Sequence, residues 1–200
     1  MKTPPHNLHE ITLSQWVGYQ NTYGQDLDNR LEKIIAMPGG EDKEFEHLIY
    51  NVDLHTYNYA YYTDTPLDEV KTMDVNEVCR LQGAAFIAQK KQMFELDHTA
   101  TYEWNGKKWK IQPLYLLVGD KLTKEQYEIS TDLALIMSDL QDGRHEALYD
   151  LCAAYLRQPG EEYTSDLVEE RRELMKQLPL SLSLCVKKYT EDAIIKMLRG

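Results

Sequence analysis

At 200 residues, with 42% hydrophobic and 28% charged side chains, the chain is long enough to bury a core without disulfides or metal, and has the balance of a soluble globular protein. Its formal net charge of −11 is uneven, with 8 Lys+Arg against 16 Asp+Glu over residues 1–100. A field of that sign repels phosphate backbones, so direct nucleic-acid binding is not expected, and a partner should offer a basic or an apolar surface.

The opening stretch, "MKTPPHNLHE", lacks the apolar run of a signal peptide, so the protein is expected to stay in the compartment where it is made. Ile11 to Trp16, "ITLSQW", is then echoed by Leu122 to Tyr127, "LTKEQY". In each hexapeptide a threonine, Thr12 or Thr123, is placed to accept from a first-turn N–H, and Gln15 or Gln126 is placed to return the bond. Ile11 and Leu122 before the caps, with Trp16 and Tyr127 after them, complete hydrophobic staples, so each hexapeptide starts a helix. Internal duplication and chance recurrence of a common helix start both account for the echo.

The first helix runs through Trp16, Tyr23, Leu27, Leu31, Ile34 and Ile35, with Gly24 a candidate kink, and Pro38 to Gly40 ends it. A short second helix follows, with Phe45, Leu48, Ile49 and Val52 on one face. From Asp53 to Asp64, "DLHTYNYAYYTD" alternates tyrosines in the manner of an edge strand or an interaction loop. The chain holds 14 Tyr against 3 Phe, and tyrosine suits either a core or a surface that is wet until a partner covers it. Tyr57, Tyr59, Tyr61 and Tyr62 are accordingly expected in a subunit contact. Thr65 and Pro66 open a helical turn, and Asp74 with Glu77 caps a helix through Val78, Cys79, Gln82, Ala85 and Phe86.

The strongest local signal is "TYEWNGKKWKI", Thr101 to Ile111. Asn105-Gly106 between alternating residues specifies a type I′ turn, pairing Tyr102 with Trp109, Glu103 with Lys108 and Trp104 with Lys107. Period two sets Tyr102, Trp104, Trp109 and Ile111 on the packed face. A lone hairpin is marginal in water, and the segment "LYLLV" and the helix after Thr123 are its nearest supports. Three further helical stripes follow: Ile129, Leu133, Ile136 and Leu140; then Leu148, Leu151, Cys152 and Tyr155, ended by Pro159-Gly160; then Ser165 to Leu178, broken by Pro179 before a last helix. The expected fold is therefore mainly α with one β-hairpin (α+β), a bundle of about seven to eight helices. Two regions are expected, 1–98 helical with a tyrosine-rich insertion and 99–200 hairpin plus bundle, unless the two form one continuous domain.

Chemistry-bearing patterns are sparse. Pro38 to Gly40 lacks the strand and the Lys-Ser/Thr of a phosphate loop. His6 and His9 have local metal-ligand spacing but no second pair, and Cys79, Cys152 and Cys185 are too scattered for zinc or a disulfide framework. They read as buried small hydrophobes in a reducing compartment. His47, His55, His98 and His145 stand alone. The carboxylate pairs Glu161–Glu162, Glu169–Glu170 and Asp26–Asp28 read as solvated faces. No catalytic, cofactor or metal residue is assigned; the expectation is a protein that works by contact.

The segments "YEWNGKKWKIQP", "LTKEQY", "LYDLCAAYLRQPGEEYTSD" and "RRELMKQLPLSLSLCVKKY" carry a resemblance. Residues 101–190, and more loosely 11–36, resemble small helical virion-assembly proteins of tailed phages, notably crAss-like phages of gut Bacteroidetes. The resemblance implies a non-enzymatic role in the virion or its construction, in a protein made in the host bacterial cytoplasm. One version is a subunit of a neck or head-to-tail connector, a homo-oligomeric ring touching portal or tail subunits. The other is a tail assembly chaperone absent from the mature particle. Residues 38–98 carry no part of it.

Overall fold

Short capped amphipathic segments punctuated by Gly and Pro leave packed helices as the main option. The computed structural model, which describes residues 1–97, 101–112 and 124–199, is mainly α with a small antiparallel β element. It divides into two units, residues 1–11 with 15–94, and residues 12–14 with 95–200.

After a 3-10 turn at Leu8–Glu10, helix α1 spans Leu13–Tyr19 and α2 spans Gln25–Ala36. The kink anticipated at Gly24 takes the form of one π turn, Gln20–Gly24, where a Cβ on Gly24 would lie 2.1 Å from Oε1 of Gln20. Helix α3, Glu41–Tyr62, is one continuous element. This corrects both the short second helix and the edge strand or loop expected over 53–64. No Gly or Pro interrupts the run, acids at Glu41, Asp42 and Glu44 suit its N-terminus, and both of its faces are used. Tyr50, Leu54, Tyr57 and Tyr61 meet Tyr19, Leu27 and Ile34 on one side, while Tyr59 and Ala60 meet Val70 and Val78 on the other. Phe45 and Leu48, expected on the buried face, are exposed.

Arg30 of α2 ties the α2–α3 pair, donating to Asp53 at 2.6 Å and Glu46 at 3.3 Å. The Lys43 ammonium donates to carbonyls at the C-terminal end of α2, those of Ile35 at 2.8 Å and of the C-cap residue Met37 at 3.1 Å. A short α4, Leu67–Val70, leads to α5, Val75–Phe94, whose N-terminus is capped by the Asp74 carboxylate accepting from Asn76 N–H at 2.9 Å. Glu77, expected to complete that box, instead pairs with Arg80.

In the second unit, strands β1 (Thr101–Trp104) and β2 (Lys107–Ile111) pair in the register that Asn105-Gly106 specifies, Tyr102 with Trp109, Glu103 with Lys108 and Trp104 with Lys107. Both turn residues have positive φ, 52° at Asn105 and 68° at Gly106. Gly106→Val is expected to lower stability by about 1 kcal/mol or more, because only glycine adopts that backbone without cost. Thermal melting checks this, and an unchanged Tm would remove the turn argument.

Beyond the hairpin come α6 (Lys124–Gln141), α7 (Ala147–Tyr155), α8 (Ser165–Met175) and α9 (Leu180–Arg199). Helix α7 does not run on to Pro159-Gly160. It stops at Tyr155, and Leu156–Arg157 forms β3, pairing Ile111 with Leu156 and Lys110 with Arg157. Eight of the nine α7 residues are buried, as a helix covered by α6, α8 and α9 requires. The hairpin thus leans on β3 and on α8 and α9; the "LYLLV" support lies outside the described residues. Thr12 bridges to Pro179, and the first N–H groups of α1, those of Leu13 and Ser14, donate to the carbonyls of Leu178 at 2.7 Å and Lys176 at 3.0 Å. Those bonds occupy two of the donors that every helix start leaves open.

Candidate functional site

The four tyrosines expected in a subunit contact are placed by helical, not strand, periodicity. Tyr57 and Tyr61, one turn apart on α3, pack with Tyr62 against Tyr19 and Tyr23. Tyr23 and Tyr57 stack at 4.9 Å, Tyr19 and Tyr62 at 5.5 Å, and Tyr61 stands edge-on to Tyr19 at 5.6 Å. Asn58 Nδ2 donates to the Tyr19 hydroxyl at 2.6 Å. Burial, reinforced by neighbouring phenols, drives the Tyr19 and Tyr62 hydroxyls well above the ordinary tyrosine value, so both stay neutral. Tyr59 points the other way, is fully buried, and donates to the carbonyl of Lys2 at 2.7 Å. It therefore has no surface to offer a partner, which corrects its assignment as a contact residue. Tyr57, Tyr61 and Tyr62 are half-buried within this cluster.

The cluster sets a test of its own. A Cβ on Gly18 would lie 2.2 Å from the Tyr61 hydroxyl, held by its ring neighbours. Gly18→Ala is therefore expected to destabilise by about 1–2 kcal/mol despite alanine's better helix propensity. In a Tyr61→Phe background the same change becomes neutral or stabilising. Equal losses in both backgrounds, measured by urea unfolding, would contradict the contact.

In the second unit the hairpin's Trp109 is fully buried and donates from Nε1 to the Trp104 carbonyl at 2.9 Å, while the Tyr102 hydroxyl donates to Cys185 Sγ at 3.4 Å. Over the Trp109 ring, 5.2 Å from its centroid, lies the guanidinium of Arg171. Arg171 also pairs with Glu161 and donates to the Leu156 carbonyl at 3.4 Å. Beside it the Arg157 guanidinium sits 5.8 Å over Tyr163, whose hydroxyl donates to Asp132. Glu161 is thus no solvated carboxylate, and the charged run from Glu169 to Glu173 is not uniformly exposed, since Arg171 is buried. The sequence hid this node because its partners lie on β2, β3, a loop and α8. Chemically it locks the sheet to the helices.

Among the helix-start residues, Gln15 is exposed, Trp16 is half-buried and Thr12 Oγ1 shares a hydrogen bond with Ser14 Oγ at 3.0 Å. Helix α6 begins at Lys124, one residue after Thr123, and Tyr127 is exposed. Thr123 lies outside the described residues, as does the Gln126 side chain.

The feature best suited to a partner is one the sequence reading misplaced. On α5, Val78, Gln82 and Ala85 are buried, whereas Phe86, put on that face, is 52% exposed. Gln89 and Gln92, on the buried side, donate to the carbonyls of Pro5 and His6. The opposite side presents Phe86, Ile87, Met93 and Phe94, each between 44% and 76% exposed, with Lys90 and Lys91 exposed among them. Positions i and i+7, and i+1 and i+8, stack in two neighbouring columns with Lys90 between them, so these form one broad stripe. Apolar letters occur all round this helix, which left periodicity unable to choose the buried side. Among the described residues no group of His, Cys, Asp and Glu is arranged to hold a metal, and no helix is long and apolar enough to cross a membrane. Comparison of the chain with protein-family models, curated proteins and solved structures gives no match.

Proposed function

We propose that the protein is a non-enzymatic structural subunit of a tailed-phage virion, part of a neck or head-to-tail connector ring built from copies of itself. The observation that carries a contact role is the α5 stripe. Isolated exposed apolar side chains are ordinary, but four large ones grouped on one side of a helix, in two pairs two turns apart, point to an interaction surface. The virion setting rests on the resemblance of residues 101–190, and the mainly helical fold with a small aromatic hairpin suits it. A ring needs heterologous contacts that close on rotation, and the acidic balance of the chain suits a channel through which DNA passes without sticking.

Mass spectrometry of purified particles tests this. The chain should be present at a fixed multiple of the portal protein's copy number. Its absence from particles, with co-purification of a tail protein from infected cells, would replace the ring subunit with a tail assembly chaperone.

A further inference from the structure

The second unit carries a groove of about 420 Å³ between α6, α7 and α8. Leu135, Ile136 and Val168 supply its apolar surface, and Leu135 is 64% exposed. Asp132, Asp139, Asp150 and Glu169 line it as well, against a single lining cation, Arg172. Arg172 pairs with Asp150 at 3.0 Å, Arg144 pairs with Asp139 at 2.7 Å, and Asp132 accepts from Tyr163 and Ser165. Even with those partners the lining keeps more carboxylates than cations, and Glu169 stands exposed. A ligand for this groove must bring apolar side chains and positive charge together.

The α5 stripe brings both. Phe86, Ile87 and Phe94 are convex and apolar where the groove is concave and apolar, and Lys90 and Lys91 stand among them where the groove has carboxylates. The net charge of −11 makes copies of the chain repel one another in general. A self-contact that sets exposed cations against carboxylates offsets that repulsion locally, as this pairing does. We infer that copies of the chain join head to tail, the α5 stripe of one copy seated in the α6–α8 groove of the next. The contact is heterologous, since the two surfaces differ, and such contacts propagate into rings or filaments. This deepens the ring reading and rests on it.

The test uses the full chain and two variants altered only at exposed positions. A stripe variant carries Ile87→Ser with Lys90→Glu; a groove variant carries Leu135→Lys with Glu169→Lys. In sedimentation velocity at low salt the parent chain should self-associate with rising concentration, and each variant alone should lose at least about tenfold in affinity. Mixed in equal amounts, they should form species of two copies that grow no further, since each retains one good surface. A parent chain that stays monomeric, variants that associate like the parent, or a mixture that forms no pairs would each overturn the contact. Circular dichroism checks the folds, and Phe94→Ser alone, at a side chain 76% exposed, serves if a double variant fails to fold. Loss of the chain from purified particles would remove the virion reading while leaving a positive mixing result intact.

Discussion

Arg171→Ala is expected to lower the stability of the second unit by about 3 kcal/mol, the largest effect of any single polar substitution proposed for it. The side chain is 9% exposed and its partner Glu161 23%, so truncation leaves a carboxylate in a poorly solvated place with its main counter-ion gone. It also uncovers the face of Trp109, 5.2 Å away, and frees the Leu156 carbonyl at the edge of β3. Arg171→Lys should recover little, because an ammonium can neither lie flat on the indole nor reach Glu161 and the carbonyl together. Urea unfolding with an unchanged slope should report the loss as a lower midpoint. A change below about 1 kcal/mol would show that the guanidinium is dispensable.

The same pair gives a pH dependence of known sign. Burial pushes the Glu161 carboxyl up, but the hydrogen bonds from Arg171 and the Gln158 N–H, with the charges of Arg171 and Arg157, more than offset it and leave the group below its usual range. A carboxylate depressed in the folded state stabilises fully above its unfolded value, about 4.3, and that share fades as pH falls through the lower folded value. Glu161→Gln should therefore flatten the acid side of the stability curve. In Arg171→Ala the acid-side loss should shrink or reverse, since burial, already the largest single influence on Glu161, loses its main counterweight.

Tyr59→Ala is expected to cost about 3–4 kcal/mol in the first unit. The ring is fully buried between α3 and α5 with Ala60, Val70 and Val78, so truncation opens a cavity in that core. Tyr59→Phe should cost only about 1 kcal/mol, the value of the bond to the Lys2 carbonyl at 2.7 Å. The two variants separate a core residue from a contact residue. A tyrosine held for a partner would leave monomer melting unchanged and weaken association, and that outcome would overturn the core assignment.

The sequence alone determined what depends on neighbours in the chain. Asn105-Gly106 fixed the hairpin and its register because a type I′ turn admits almost nothing else, and Asp74, Pro38 to Gly40 and Pro179 set helix boundaries through caps and breaks within a few residues. The stripe Ile129, Leu133 and Ile136 was legible from its i, i+4, i+7 spacing, although Leu135 on the same helix is also apolar and ends exposed. Where a helix is apolar or aromatic on several sides, burial depends on which element arrives. Tyr57 and Tyr59 look alike by spacing, yet one joins the cluster with Tyr23 and the other faces α5. Phe86 shares the letters of a core residue and ends on the surface. Only the tertiary structure could bring Arg171 to Trp109, or place Leu135 and Asp139 of α6 beside Glu169 of α8, since those groups meet across elements far apart in sequence. Local backbone preference is written in the chain; the partner of each face is settled by packing.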